Sequence, residues 1–147
     1  MECSAQEIER LNSNSLYQTV GIRVEEVKDG EAKSSLEPEP PFCWPFEGQP
    51  HGGVLFTLMD TTMAWAVHSV LEEEYTCATI NLDIQYTRRA RGGSFSCCAS
   101  ITDQGNLIVY AKADIRDEDS RIIATGQGCF RILKAPPITD WGIGYRS

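Results

Sequence analysis

The sequence has few of the residues from which metal sites are built. It holds two histidines, His51 and His68, 17 positions apart, and none of its six cysteines (3, 43, 77, 97, 98 and 129) forms a CxxC pair. Zinc arrangements need clustered Cys and His, so no metal is expected. Two of the cysteines are adjacent, and the opening Met1-Glu-Cys-Ser-Ala-Gln-Glu7 is polar and acidic, without a basic stretch or an apolar one. Neither a disulfide framework nor a secretory segment is expected from that pattern. Free thiols in the cytoplasm, several packed as small hydrophobes, are the expectation. Cations are scarce as well: 13 Lys and Arg stand against 21 Asp and Glu, a net charge of −8. Phosphate backbones and anionic surfaces are held by clustered cations, so nucleic acid and membrane are not expected as partners. Any phosphate must be met by a local patch.

What is present suits one soluble globular domain. Hydrophobic residues make up 41% and charged residues 23% of 147 positions, enough for one core spanning 1–147 and too few for two. A polar N-terminal helix is expected within residues 1–15, with Ser4 as N-cap and Glu7 completing a capping box. Gly21–Lys28 and Glu31–Leu36 read as strands joined by the turn Asp29-Gly30. Residues 37–50 carry five of the seven prolines and read as constrained loop. The segment from Pro136 to Ser147 has no readable period, and its role is open.

Gly53 to Leu71 differs from everything around it. It is apolar nearly all round, without proline or internal glycine, as in a helix buried on most sides. Asp60, several threonines and His68 interrupt it too often for a membrane span. Four extended segments follow, Thr76–Tyr86, Ser94–Thr102, Leu107–Arg116 and Ile122–Leu133, rich in Ile, Val, Thr, Tyr and Phe. One helix among five to six strands packs most simply as an α+β domain, an antiparallel sheet wrapped around the helix. A second copy would cover the rest of the helix, so a dimer is expected.

Two features of this helix carry chemistry. Asp60 is flanked by Leu58, Met59, Met63 and Ala64. A carboxylate in such surroundings is paired, protonated or used, with Thr57 or Thr61 as the nearest structural partners. His51-Gly52-Gly53 stands at the helix mouth, where the first N–H groups lack partners and the dipole favours negative charge. Glycine admits a close approach, so the mouth suits an oxyanion. Eight residues separate Gly52 from Asp60, or ~12 Å of helix, so one carbonyl cannot meet both within one chain. Two antiparallel copies of the helix would bring Gly52 of one chain to Asp60 of the other.

His51-Gly-Gly, six further residues and Asp60, preceded by Gly48 and followed by Thr79-Ile-Asn-Leu-Asp-Ile-Gln-Tyr86, resemble the hotdog-fold acyl-CoA thioesterases of the phenylacetate-degradation (PaaI) type. The resemblance spans roughly residues 16–133. It implies a hotdog fold, a homodimer or homotetramer, and hydrolysis of acyl-CoA to acid and CoA without a cofactor. It further implies that Asp60 is the general base or nucleophile and that the Gly52 N–H polarises the thioester carbonyl. His51 would orient that loop, with Gly53 beside it, and Thr79 would help hold the water. Many members carry Asn six residues before the His, where this chain has Pro45, leaving Glu47 or Gln49 to take over. Arg88, Arg89 and Arg91 form the one dense basic cluster. By the same resemblance they lie near the CoA nucleotide, as fork-shaped phosphate donors. Trp44, Phe46, Phe56 and Trp65 are candidates for an acyl pocket or plain core. Two other activities stay open on these residues. One is an acyl-CoA-binding module without turnover; the other is a hotdog hydratase or dehydratase with His51 as base.

Overall fold

Ser4 caps the first helix as its sequence requires. Its side chain accepts the Glu7 N–H while the Glu7 carboxylate accepts the Ser4 N–H, a complete capping box. The computed structural model describes residues 2–38 and 48–135. Where one N-terminal helix was expected there are two, α1 (Ala5–Asn12) and α2 (Ser15–Val20). The break is caused by two asparagines. Asn12 turns inward and pairs both its amide and its carbonyl with Val24, each at 2.8 Å, while Asn14 caps α2. Gly21 closes α2 at φ 84, the left-handed conformation that glycine adopts without strain.

Strands β1 (Ile22–Lys28) and β2 (Glu31–Leu36) form the expected hairpin, with Asp29 and Gly30 both at positive φ. The long helix α3 runs Gly52–His68, shorter at its end than Gly53–Leu71. Ser69 stops it by donating its N–H to Trp65, and its hydroxyl accepts the Gly30 N–H at 2.7 Å, tying the helix end to the hairpin turn. Strands β3 (Tyr75–Tyr86), β4 (Phe95–Gln104), β5 (Ile108–Arg116) and β6 (Ile122–Lys134) complete a six-stranded antiparallel sheet of order β1-β2-β4-β5-β6-β3.

The sheet curls round α3 because alternate residues suit that face. Phe95, Cys97 and Ala99 of β4 and Val109, Ala111, Ala113 and Ile115 of β5 are buried against Leu55, Leu58, Met59 and Met63 of α3. Each such large apolar side chain contributes about 1.5–3 kcal/mol when fully buried. Gly126 on β6 admits the closest approach, since a Cβ there would meet Met59 Sδ at 2.5 Å. The α+β expectation holds, with six strands around one central helix.

Strand β3 is the odd member. Among the described residues it pairs with β6 alone and its other edge is open, with Thr79, Ile80, Asn81, Asp83, Gln85 and Tyr86 exposed. Its pairing with β6 slips by one residue at Ile80, between Thr79 opposite Phe130 and Asn81 opposite Cys129. No helix among the described residues is long and apolar enough to cross a membrane.

Candidate active site

The site is built on α3 and the strand running antiparallel beside it. Asp60 is half-buried, and its Oδ1 accepts the hydroxyl of Thr79 at 2.7 Å. The two local threonines do not serve it in the expected way. Thr57 donates to the Gly53 carbonyl at 2.9 Å, back along its own helix. Thr61 is buried and leans on the phenol of Tyr17.

His51 is the N-cap of α3, and its ring supplies the cap. Nδ1 accepts the Gly53 N–H at 2.8 Å, while the His51 carbonyl accepts the Val54 N–H at 3.0 Å. A ring nitrogen that accepts carries no proton, so the neutral ring is protonated at Nε2. Tyr86, at the end of β3, donates its phenol to the Gly52 carbonyl at 2.7 Å. The ring of Tyr86 lies against Gly52 so closely that a Cβ there would stand 3.2 Å from Cζ.

The arginines divide. Arg89 donates Nε to Gln49 Oε1 at 2.6 Å, joining the segment after β3 to the turn before His51. Gln49 therefore has its carbonyl engaged and only its amide N–H₂ to offer in place of the usual Asn. Arg88 and Arg91 are exposed. Pro45, Glu47, Trp44 and Phe46 lie outside the described residues, as does Pro136–Ser147.

Two residues near Asp60 were missed in the sequence. Tyr17 of α2 accepts the Trp65 indole N–H at 3.0 Å. Burial pushes its phenol up, hydrogen bonds from Trp65 and Thr61 pull it back, and the charge of Asp60 adds to the rise. The signal for α2 was available as Asn14 and Gly21, a capping asparagine and a closing glycine with the six helix residues between them. Cys77, two residues before Thr79, sits with Sγ 3.8 Å from the Ala64 carbonyl. Burial, with the charge of Asp60, pushes its thiol up to about 12. Clefts of the single chain lie elsewhere. One of about 370 Å³ lies on the sheet past Asn81, Tyr110 and Cys129, one of about 350 Å³ runs past Lys33, Cys98 and Lys112, and one of about 330 Å³ lies between α1 and the end of α3, beside Trp65 and His68. Asp60 lines none of them. Among the described residues no group of side chains is suited to hold a metal ion.

The chemistry on offer is a carboxylate held by one hydroxyl, with an N–H donor at a helix mouth eight residues away. Comparison with known proteins bears on the family of the whole chain. A family profile described as Thioesterase superfamily matches residues 48–124, from the turn before His51 to β6. A putative esterase of Halobacterium salinarum is 31% identical over 134 residues, covering 84% of this chain and 88% of that protein. A medium/long-chain acyl-CoA thioesterase of Salmonella typhimurium, YigI, is 26% identical over 95 residues, covering 56% and 61%. The crystal structure of the thioesterase HI1161 from Haemophilus influenzae superposes with a TM-score of 0.82 at 23% identity, over 90% of this chain and 92% of that one.

Proposed function

Since the chain belongs to the thioesterase superfamily, a family of thioester hydrolases, we propose that it hydrolyses acyl-CoA thioesters at a site shared between two subunits. The observation that carries this reading is Asp60 itself, a carboxylate on an otherwise apolar helix, held by Thr79 at the open edge of the sheet. Asp60 acts there as general base on water or as nucleophile, and Thr79 holds it in one orientation. The thioester oxygen, negative as the tetrahedral intermediate forms, is met by the Gly52 N–H at the positive end of α3. No cofactor is needed for this chemistry.

The shared site follows from reach. Gly52 and Asp60 lie on one continuous helix, eight residues or ~12 Å apart, whereas attack needs groups about 3 Å from the reacting carbon. Pairing of β3 with β3 of a second copy would satisfy its open edge and cover Ile80 and Tyr86, which are 54% and 50% exposed. It would also set two α3 helices antiparallel, so that Gly52 of one faces Asp60 of the other. Arg88 and Arg91, free of side-chain bonds to the described residues, are suited to the CoA phosphates. The acyl-CoA thioesterase named among the relatives supports the CoA ester as substrate. The free thiols of the described cysteines suit a reducing, cytoplasmic setting.

A hydratase reading is disfavoured by His51, whose Nδ1 lone pair is already taken by the Gly53 N–H. The test is loss of thioester across a panel of aryl-, branched- and straight-chain acyl-CoAs, followed by mass spectrometry, with Asp60→Asn beside the wild type and light scattering for the assembly. Hydrolysis that falls ~10²–10⁴-fold in the variant, in a dimer or tetramer, supports the reading. Acyl-CoA that raises the melting temperature without turnover would make the protein a binding module. A monomer that turns over at full rate would remove the shared site.

A further inference from the structure

We infer that Tyr86 is a positioning residue for the oxyanion donor, holding one end of the Gly52–Gly53 peptide while His51 holds the other. This rests on the proposed thioesterase reading and adds to it a residue that the acid and the helix mouth alone do not require.

An account of the first N–H groups of α3 leads there. A helix leaves its first donors without intrahelical partners. Here the Gly53 N–H goes to His51 Nδ1 and the Val54 N–H to the His51 carbonyl. The Gly52 N–H is the one of these three left without a partner among the described residues. That N–H lies in the His51–Gly52 plane, and its aim is held when this plane and the Gly52–Gly53 plane, hinged to it at the Gly52 Cα, are both fixed. The preceding plane is pinned through the His51 carbonyl by Val54. The following plane contains the Gly52 carbonyl and the Gly53 N–H, and it is gripped at both ends, by Tyr86 Oη at 2.7 Å and by His51 Nδ1 at 2.8 Å.

That double grip matters because two consecutive glycines make this first helical turn easier to distort. Glycine has access to backbone conformations closed to other residues, and a donor that wanders loses the preorganisation on which oxyanion stabilisation depends. His51 alone fixes the N–H end of the plane. Tyr86 fixes the carbonyl end and packs its ring on the Gly52 Cα, a contact that a Cβ would crowd, meeting Tyr86 Cζ at 3.2 Å and Oη at 3.3 Å. Arg89, three residues on, reinforces the same junction through Gln49. The end of β3 and the mouth of α3 are thus joined on both sides of the donor. Partial burial raises the Tyr86 phenol above its ordinary value, so it keeps the proton it donates across the working pH range.

The test is Tyr86→Phe, which keeps the ring and removes the hydroxyl, together with His51→Ala and the double variant. Three readouts are taken on the full chain: kcat and KM on the best acyl-CoA of the panel, the amide exchange rate of Gly53 by NMR, and the melting temperature. The expected result for Tyr86→Phe is a fall in kcat of about tenfold, below the ~10²–10³ for loss of a donor outright, with KM within about twofold. Gly53 exchange should quicken while the melting temperature holds. Because His51 and Tyr86 grip one peptide, the losses in the double variant should fall short of the product of the single losses. The inference is overturned if Tyr86→Phe turns over at the wild-type rate, or if the two losses multiply as for independent sites. An Asp60-dependent wild type with an unaltered Tyr86→Phe removes this inference alone. A wild type without turnover removes the thioesterase reading and this inference with it.

Discussion

Thr79 and Tyr86 lie seven positions apart on one strand and both point to the same face of the sheet. In a regular strand an odd separation sends two side chains to opposite faces. The bulge at Ile80 reconciles them. Thr79 stands opposite Phe130 and Tyr86 opposite Ala124, both buried on the α3 side, because the extra residue shifts the alternation by one. One inserted residue therefore lets the same strand hold Asp60 with one hydroxyl and the Gly52 carbonyl with another.

Deleting Ile80 tests that directly. Regular pairing would restore strict alternation and turn either Thr79 or Tyr86 away from α3. Turnover should fall by at least ~10²-fold, as when a catalytic group is misplaced by an ångström or more. The far-UV circular dichroism should remain that of an antiparallel sheet. Retained turnover in the deletion would mean that the bulge does not align the site.

Thr79→Val isolates one of the two hydroxyls. The substitution is nearly isosteric and removes only the donor to Asp60 Oδ1. Thr79 is exposed in the single chain, so the effect on stability should be within ±0.5 kcal/mol by denaturant titration. The catalytic effect should be larger, a fall of about tenfold in kcat, because a charge-assisted bond that orients a base is lost. Equal rates for Thr79→Val and wild type would leave Thr79 a bystander.

His68 makes stability depend on pH. Its ring is largely buried beside Trp65, with ring centres 5.1 Å apart and Nε2 3.2 Å from the Thr76 hydroxyl, and burial lowers its pKa below the ordinary 6.5. The neutral ring is thus favoured in the folded chain. Above pH 6.5 its contribution is fully present. As pH falls through that value the unfolded chain takes up the proton first, and stability is lost down to the folded pKa, with a slope limited to ~1.4 kcal/mol per pH unit for one proton. Urea midpoints measured from pH 7.5 to 5 should decline less steeply for His68→Gln than for wild type. Parallel curves would show that His68 is not the group responsible.

The buried thiols should be inert despite their place. Cys77 stands close enough to Asp60 to feel its charge, and Cys97 is buried in the core, each pushed up to about 12 by burial first of all. Thiolate is the reactive form, so neither should be alkylated by iodoacetamide at pH 7.5, whereas exposed Cys98 should be. Peptide mapping would read this, and turnover should survive the labelling. Rapid modification of Cys77 with loss of activity would instead point to a cysteine in the chemistry.

The local elements and the composition of the site were legible in the sequence. Sequence pattern gave five to six strands and a helix apolar nearly all round, because a side chain's face is set by its position along strand or helix. Asp29-Gly30, Ser4 and Glu7 spoke for themselves because turns and caps are made by neighbours in the chain. His51, Gly52 and Asp60 stood out because a glycine pair at a helix mouth and a carboxylate in an apolar run are each locally unusual. The resemblance names Thr79 as a site residue, but which atoms pair with these residues was beyond local sequence reasoning. Asp60 is 19 positions from Thr79, Gly52 is 34 from Tyr86, and Trp65 is 48 from Tyr17. Such pairs are chosen by how the sheet closes on the helix, and the register at Ile80 depends on strand β6, which no window of β3 contains. Local propensity therefore determined which elements form and which residues are chemically suspect. The tertiary structure alone decided that the Thr79 hydroxyl meets Asp60 and that the Tyr86 ring holds the Gly52–Gly53 peptide, since those contacts arise only once distant segments are packed.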